Sequence, residues 1–145
     1  MTLHEILARK GSDVYTVGPD VTLDVVVCRL VEKNCGSLVV QDESKNSQPL
    51  IGIITERDIL RVCCAKKKQY GDVTVAEVMT TDVITGSPSD TVNDTMGLLT
   101  RNRIRHLPVV ESGMLVGMIS IGDVVKAQFD RLQLENHYLK SYIHS

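Results

Sequence analysis

The chemistry this sequence can offer is concentrated in two short runs, Gly52–Ile53–Ile54–Thr55–Glu56–Arg57–Asp58 and Gly117–Met118–Ile119–Ser120–Ile121–Gly122–Asp123. Each sets a hydroxyl residue three positions before an aspartate. A glycine and two apolar residues lead in, and an apolar pair follows, Ile59–Leu60 or Val124–Val125. Two kinds of chemistry fit. A hydroxyl with an acid three residues on is the capping pattern of a helix N-terminus, and capping alone would account for both copies. The same turn, closing a strand with a helix start aimed outward, offers amides and a positive dipole end to an anion. Its carboxylate can also accept two hydroxyls, as a ribose presents them. A nucleotide needs both features, and the pattern by itself leaves the two readings level.

Patterns that would support catalysis are missing. There is no G-x-x-x-x-G-K-[ST] loop, G-x-G-x-x-G, serine elbow, H-E-x-x-H or H-x-E…C-x-x-C, and no nucleophile–base pair to defend. His106, between Arg105 and Leu107 at an expected strand start, suits contact with a phosphate better than general-base work; the alternative is a partly exposed strand-edge histidine. The cysteines Cys28, Cys35, Cys63 and Cys64 form no C-x-x-C pair and have no histidine at ligand spacing, so a structural zinc is not expected. Cys28 and Cys35 read as small apolar residues near a helix and its exit. Cys63–Cys64 read as ordinary reduced thiols on a helix, with a redox switch as the alternative.

The elements that position these turns follow from the rest of the chain. Its 145 residues are 43% hydrophobic, with one Phe and no Trp, so the core must be aliphatic and continuous. A net charge of −2 gives no general pull toward nucleic acid or anionic membrane. No apolar run approaches the roughly 18–20 residues that span a bilayer, and no signal peptide opens the chain. The expectation is a soluble, cytoplasmic protein.

Thr2–Leu3–His4–Glu5 and Thr74–Val75–Ala76–Glu77 read as capping boxes of short leading helices. A β-like segment follows each, Val14–Tyr15–Thr16–Val17 and Val83–Ile84–Thr85, broken by Pro19 and Pro88, 69 positions apart. Thr22 and Thr91 are expected N-caps. Behind them Leu23, Val26, Val27 and Leu30, or Val92, Met96 and Leu99, share a helical face. Strands over Leu38–Val39–Val40 and Leu107–Pro108–Val109–Val110 come next. Their polar turns differ in length, so Gly52 and Gly117 are only 65 apart and the first hairpin holds four extra residues.

The unit is therefore strand, helix, strand, strand, helix, written twice with a leading helix. The boundary falls near Tyr70–Gly71–Asp72, giving repeats 1–72 and 73–145. Lys66–Lys67–Lys68 read as a solvated helix end that complements the dipole. The period is too long for a solenoid, and one copy would bury too little alone. The expected fold is α/β (α+β): two repeats packed sheet to sheet with pseudo-two-fold symmetry and a long C-terminal helix. The helical pattern there continues through Phe129, Leu132, Leu139 and Ile143, and Val125, Leu132 and Leu139 recur every seven residues. This spacing suits a partner helix; the alternative is a helix lying back on its own domain.

The ordered repeat resembles a tandem cystathionine β-synthase (CBS) domain pair, the Bateman module of small stand-alone bacterial proteins. The carrying motifs are Pro19 to Leu30 and Pro88 to Leu99, Gly36–Ser37–Leu38–Val39–Val40, Val78–Met79–Thr80, Arg103–Ile104–Arg105–His106–Leu107–Pro108–Val109, and the two G-h-h-[ST]-x-x-D turns. The resemblance implies a non-enzymatic sensor with two related clefts for AMP, ADP, ATP, NAD or S-adenosylmethionine, and no catalytic cofactor. Ribose and phosphate contacts then fall to Thr55 and Asp58 in one cleft, and to Ser120 and Asp123 in the other. The adenine slots fall to Thr80, Thr81 and Ile104 for the Asp58 cleft, and to Lys10, Ser12 and Cys35 for the Asp123 cleft. Arg57, Arg105 and His106 would face phosphates; the matching positions in the other copy are Gly122, Gly36 and Ser37, so the clefts are expected to differ. The resemblance also implies a homodimer acting on a separate, unidentified effector protein. The alternatives are a redox-responsive or purely structural dimerisation module.

Overall fold

The computed structural model describes residues 1–65 and 69–144; the basic run Lys66–Lys67–Lys68 lies outside the described residues. The elements in chain order are α1 (Leu3–Lys10), β1 (Thr16–Val17), α2 (Leu23–Lys33), β2 (Ser37–Gln41), β3 (Leu50–Thr55), α3 (Glu56–Ala65), a 3-10 turn (Tyr70–Asp72), α4 (Val75–Val78), α5 (Val92–Asn102), β4 (His106–Glu111), β5 (Met114–Ser120) and α6 (Ile121–His144). This is the expected mixed α/β architecture with a long C-terminal helix. Parallel β1 and antiparallel β3 flank β2 in one sheet, and β4 pairs with β5 in the other.

The second repeat lacks its leading strand. Val39 donates its N–H to Tyr15 O at 3.1 Å and so holds β1 on β2. Pro108 stands at the position of Val39 and has no N–H to give. The expected strand over Val83–Ile84–Thr85 is therefore absent, and contact shrinks to a bridge between Gly86 and Val109, with Val110 donating to Gly86 O at 2.8 Å.

The two hairpins lie side by side, with their turns at the same end. A Cβ built on Gly36, just before β2, would meet His106 Cε1 at 3.4 Å; one built on Gly113, in the second turn, would meet Ser47 O at 2.6 Å. Ser112 and Gly113 both have positive φ, as a tight two-residue hairpin turn requires.

Each leading helix packs into the opposite repeat. Leu3, Ile6 and Leu7 of α1 join a core with Val92, Leu99, Leu107, Val109, Ile119 and Val124. Val73 and Val75 join the core of Val17, Leu23, Val26, Leu38, Ile54 and Ile59. The crossing is tied by matched backbone bonds. Leu3 N–H donates to Asp90 O (3.0 Å), His4 N–H to Pro88 O (2.9 Å) and Val92 N–H to Met1 O (3.0 Å). Their counterparts run from Val75 to Val21 O (2.8 Å), Ala76 to Pro19 O (2.9 Å) and Leu23 to Val73 O (2.9 Å).

The helix caps differ between the copies. The first amides of a helix lack partners within it, and in α1 those of Leu3 and His4 are satisfied across the joint. Thr2 makes no side-chain cap bond, and the capping box expected at Thr2 does not close. At Thr74 the N–H does reach the Glu77 carboxylate, at 2.9 Å. Thr91 accepts from Asp94 N–H at 3.1 Å, whereas the Thr22 hydroxyl turns to Asp24. Thr95, at the position of Val26, is 2% exposed and satisfies its hydroxyl on Thr91 O at 2.8 Å.

Candidate functional site

Each G-h-h-[ST]-x-x-D run closes a strand and opens a helix, and each aspartate first serves its own helix. Asp58 Oδ2 accepts from Thr55 N–H (2.9 Å) and from Thr55 Oγ1 (3.2 Å), while Asp58 N–H reaches back to Thr55 Oγ1 (3.4 Å). Asp123 Oδ2 accepts from Ser120 N–H (2.8 Å), and Asp123 N–H donates to Ser120 Oγ (3.1 Å). The capping chemistry is thus present in both copies.

A group from the opposite leading segment completes each turn. Thr80, just past α4, donates its hydroxyl to Asp58 Oδ1 at 3.3 Å, and its backbone pairs with Ile53 in both directions, at 3.0 and 2.9 Å. Lys10, the last residue of α1, places Nζ 2.6 Å from Asp123 Oδ2 and 2.8 Å from Met118 O. Met118 and Ile53 are equivalent positions, so a lysine side chain stands where the first turn is met by backbone.

The motif glycines permit this approach. A Cβ on Gly52 would meet Met79 Sδ at 2.6 Å and Thr80 O at 3.0 Å; one on Gly117 would meet the two Leu7 methyls at 2.6 and 2.7 Å. Their role is to let the opposite leading helix lie against the strand.

The two carboxylates differ in setting. Asp58 is 4% exposed and also has Arg61 Nη1 at 3.5 Å from Oδ1. The Asp123 side chain is 23% exposed. Burial works against its ionisation, and the Lys10 hydrogen bond, the Ser120 amide and the Lys10 charge outweigh that, holding its carboxyl below the ordinary range. His106 is half-buried. Burial holds its imidazole below the usual histidine value; Glu56 and Asp123 pull the other way, and Arg105 and Lys10 oppose the charged form. His106, Arg105, Lys10, Glu56 and Asp123 therefore form one electrostatic cluster where the repeats meet.

The remaining expected residues scatter more widely. Arg57, Thr81, Arg105 and Ser12 are exposed. Ile104 packs against the second core and Cys35 against the first. Arg61 and Glu56 were not expected at the site. Arg61 was within reach of helix spacing, three residues beyond Asp58; nothing local in the sequence marks Glu56. Among the described residues no group of three or more His, Cys, Asp or Glu could hold a metal ion. Surface hollows lie along the 44–51 turn and between the start of α5 and α6, and neither is lined by Asp58 or Asp123. Cys28 is exposed on α2 rather than buried, Cys35 is half-buried, and Cys63 and Cys64 are exposed on α3; all four are free thiols. No described helix is long and apolar enough to cross a membrane.

The profile of the CBS domain matches residues 4–64 and 75–130. A mitochondrial CBS domain-containing protein of Arabidopsis thaliana, CBSX3, is 35% identical over 149 positions, covering 98% of this chain and 71% of that protein. The crystal structure of the CBS-domain containing protein ATU1752 from Agrobacterium tumefaciens superposes with a TM-score of 0.79 at 37% identity, over 88% of this chain and 98% of that one. The CBS domain pair of protein MJ0100, solved with 5'-methylthioadenosine and S-adenosyl-L-methionine, shares the fold at 24% identity with a TM-score of 0.74, over 88% and 98% of the two chains.

Proposed function

This chain belongs to the CBS-domain family, and from that premise we propose that it is a non-catalytic regulatory module that takes adenosine-containing ligands at its two motif turns. The observation that carries the reading is that each motif carboxylate is met by a polar group from the opposite leading segment, Thr80 on Asp58 and Lys10 on Asp123. A ligand whose ribose engaged either aspartate would compete with that group and so bear on the joint between the repeats. It would shift the balance of arrangements in proportion to its differential affinity for them.

In this reading ribose hydroxyls go to Asp58 and Asp123, with Thr55 and Ser120 in support. The anionic end of the ligand faces the starts of α3 and α6, near Arg57, Arg105 and His106. Adenine lies between the entry to a first strand and the apolar start of the next, with Thr80, Thr81 and Ile104 for one cleft and Lys10, Ser12 and Cys35 for the other. AMP, ADP, ATP, NAD and S-adenosylmethionine are the compounds to try, a class that includes the adenosine ligands of MJ0100. The clefts are not equivalent, because the opposite leading segment brings a lysine ion pair to Asp123 and a threonine hydroxyl to Asp58, whose own ion pair is with Arg61 of its own helix. The module acts in the cytoplasm as a homodimer on a separate effector.

The test is isothermal titration and a melting series with those compounds on the wild type, Asp58→Asn and Asp123→Asn. Stabilisation following RT ln(1 + [L]/Kd), lost one cleft at a time, is the expected result. No shift with any compound would overturn the reading in favour of a structural dimerisation module, which the complete capping of both aspartates also fits.

A further inference from the structure

Helix α6 runs well past the family match, which ends at residue 130. Val124 and Ala127 bury its first turns against the domain, yet every residue from 131 to 144 is exposed. A helical stretch of this length is marginal in water by itself, since helices draw most of their stability from a packed apolar face. Its internal contacts include an exposed Arg131–Glu135 ion pair at 3.1 Å, a contact of little weight.

The exposed face has a definite pattern. Val125, Phe129, Leu132, Asn136, Leu139 and Ile143 follow in alternating steps of four and three, which is the seam of a coiled coil. The five apolar members are 51–74% exposed. They lie on the other side of the helix from Val124 and Ala127, so the seam points away from the chain's own body along its whole length.

We propose that α6 pairs with α6 of a second copy as a parallel, in-register coiled coil. Asn136 sets the orientation. Only parallel pairing in register puts it opposite its own counterpart, where the two amides satisfy each other; antiparallel pairing faces it with an apolar residue. Flanking charges agree. In the parallel arrangement Glu135 of one helix stands beside Lys140 of the other, Gln128 stands beside Gln133, and no like charges meet. The seam from Val125 to Ile143 is about 28 Å long at 1.5 Å per residue. The pairing would carry the two-fold axis along the helices and fix how the two modules face each other.

The test uses the full chain. Sedimentation should show a dimer, and Leu132→Asp with Leu139→Asp should raise its dissociation constant at least about a hundred-fold. Leu134→Asp, on the opposite face, should leave it unchanged. With the four native cysteines replaced by serine, Asn136→Cys should form a symmetric interchain disulfide with oxidised glutathione. A monomeric wild type, an unaltered constant in the double variant, equal weakening by Leu134→Asp, or failure to form the disulfide at position 136 would each overturn the proposal.

Discussion

Lys10 and Asp123, 113 positions apart in the chain, share a hydrogen-bonded ion pair at 2.6 Å. The pair ties the end of α1 to the start of α6 and makes the second motif turn a property of both repeats. Lys10→Met should lower stability by about 1 kcal/mol, the upper range for a pair that keeps partial solvent access. Most of that loss should vanish in an Asp123→Asn background, a coupling that a double-mutant cycle in urea would measure.

The same pair gives stability a sign with pH. The folded pKa of Asp123 lies below the ordinary carboxylate value. Its contribution is therefore fully present above the unfolded pKa, about 3.9, and is lost as pH falls through the lower folded value. Acid unfolding should begin at higher pH in Lys10→Met than in wild type, followed by circular dichroism from pH 5 to pH 2 (about the span over which carboxylates titrate).

His106 acts in a different window. Its folded pKa is depressed, so the unfolded chain takes up the proton first as pH falls through about 6.5. Stability should decline as pH drops through that value and level off below the folded pKa. Comparing urea midpoints of wild type and His106→Asn on either side of about pH 6.5 checks this: the variant should show a shallower decline.

Two N-cap threonines, Thr91 of α5 and Thr2 of α1, should behave unlike each other. Thr91→Ala removes the bond from Asp94 N–H and should cost about 1 kcal/mol. Thr2→Ala should cost little through capping, because the Thr2 side chain makes no cap bond. Denaturant midpoints of the two variants separate the cases.

Gly52→Ala should destabilise by about 1–3 kcal/mol, the range for inserting a methyl into packed space, because the new Cβ meets Thr80 backbone as well as Met79. Gly117→Ala should cost less, since the conflict is with the flexible end of Leu7. Equal losses would show that Leu7 cannot give way.

The duplicated order of elements was legible in the sequence because it rests on local physics. Apolar residues at helical spacing, prolines that break a strand, and threonines ahead of apolar runs each act within a few residues of themselves. They placed α2, α5, both hairpins and both motif turns. The same local rules overreached elsewhere. Thr2 carries the same capping-box pattern as Thr74, yet only the box at Thr74 closes. Val83–Ile84–Thr85 reads as a strand, yet Pro108, some 23 positions on, removes the donor it would need.

What the sequence alone determined is the repeat, the two hydroxyl–aspartate turns and their helix-capping chemistry, because those interactions span three residues. What only the tertiary structure decided is who completes each turn. Lys10 reaches Asp123 and Thr80 reaches Asp58 because the leading helices cross over, and they cross because Gly52 and Gly117 leave room against the strands. No local pattern encodes that crossing. It follows from two half-cores that each lack the surface to close alone and are each closed by a helix from the other.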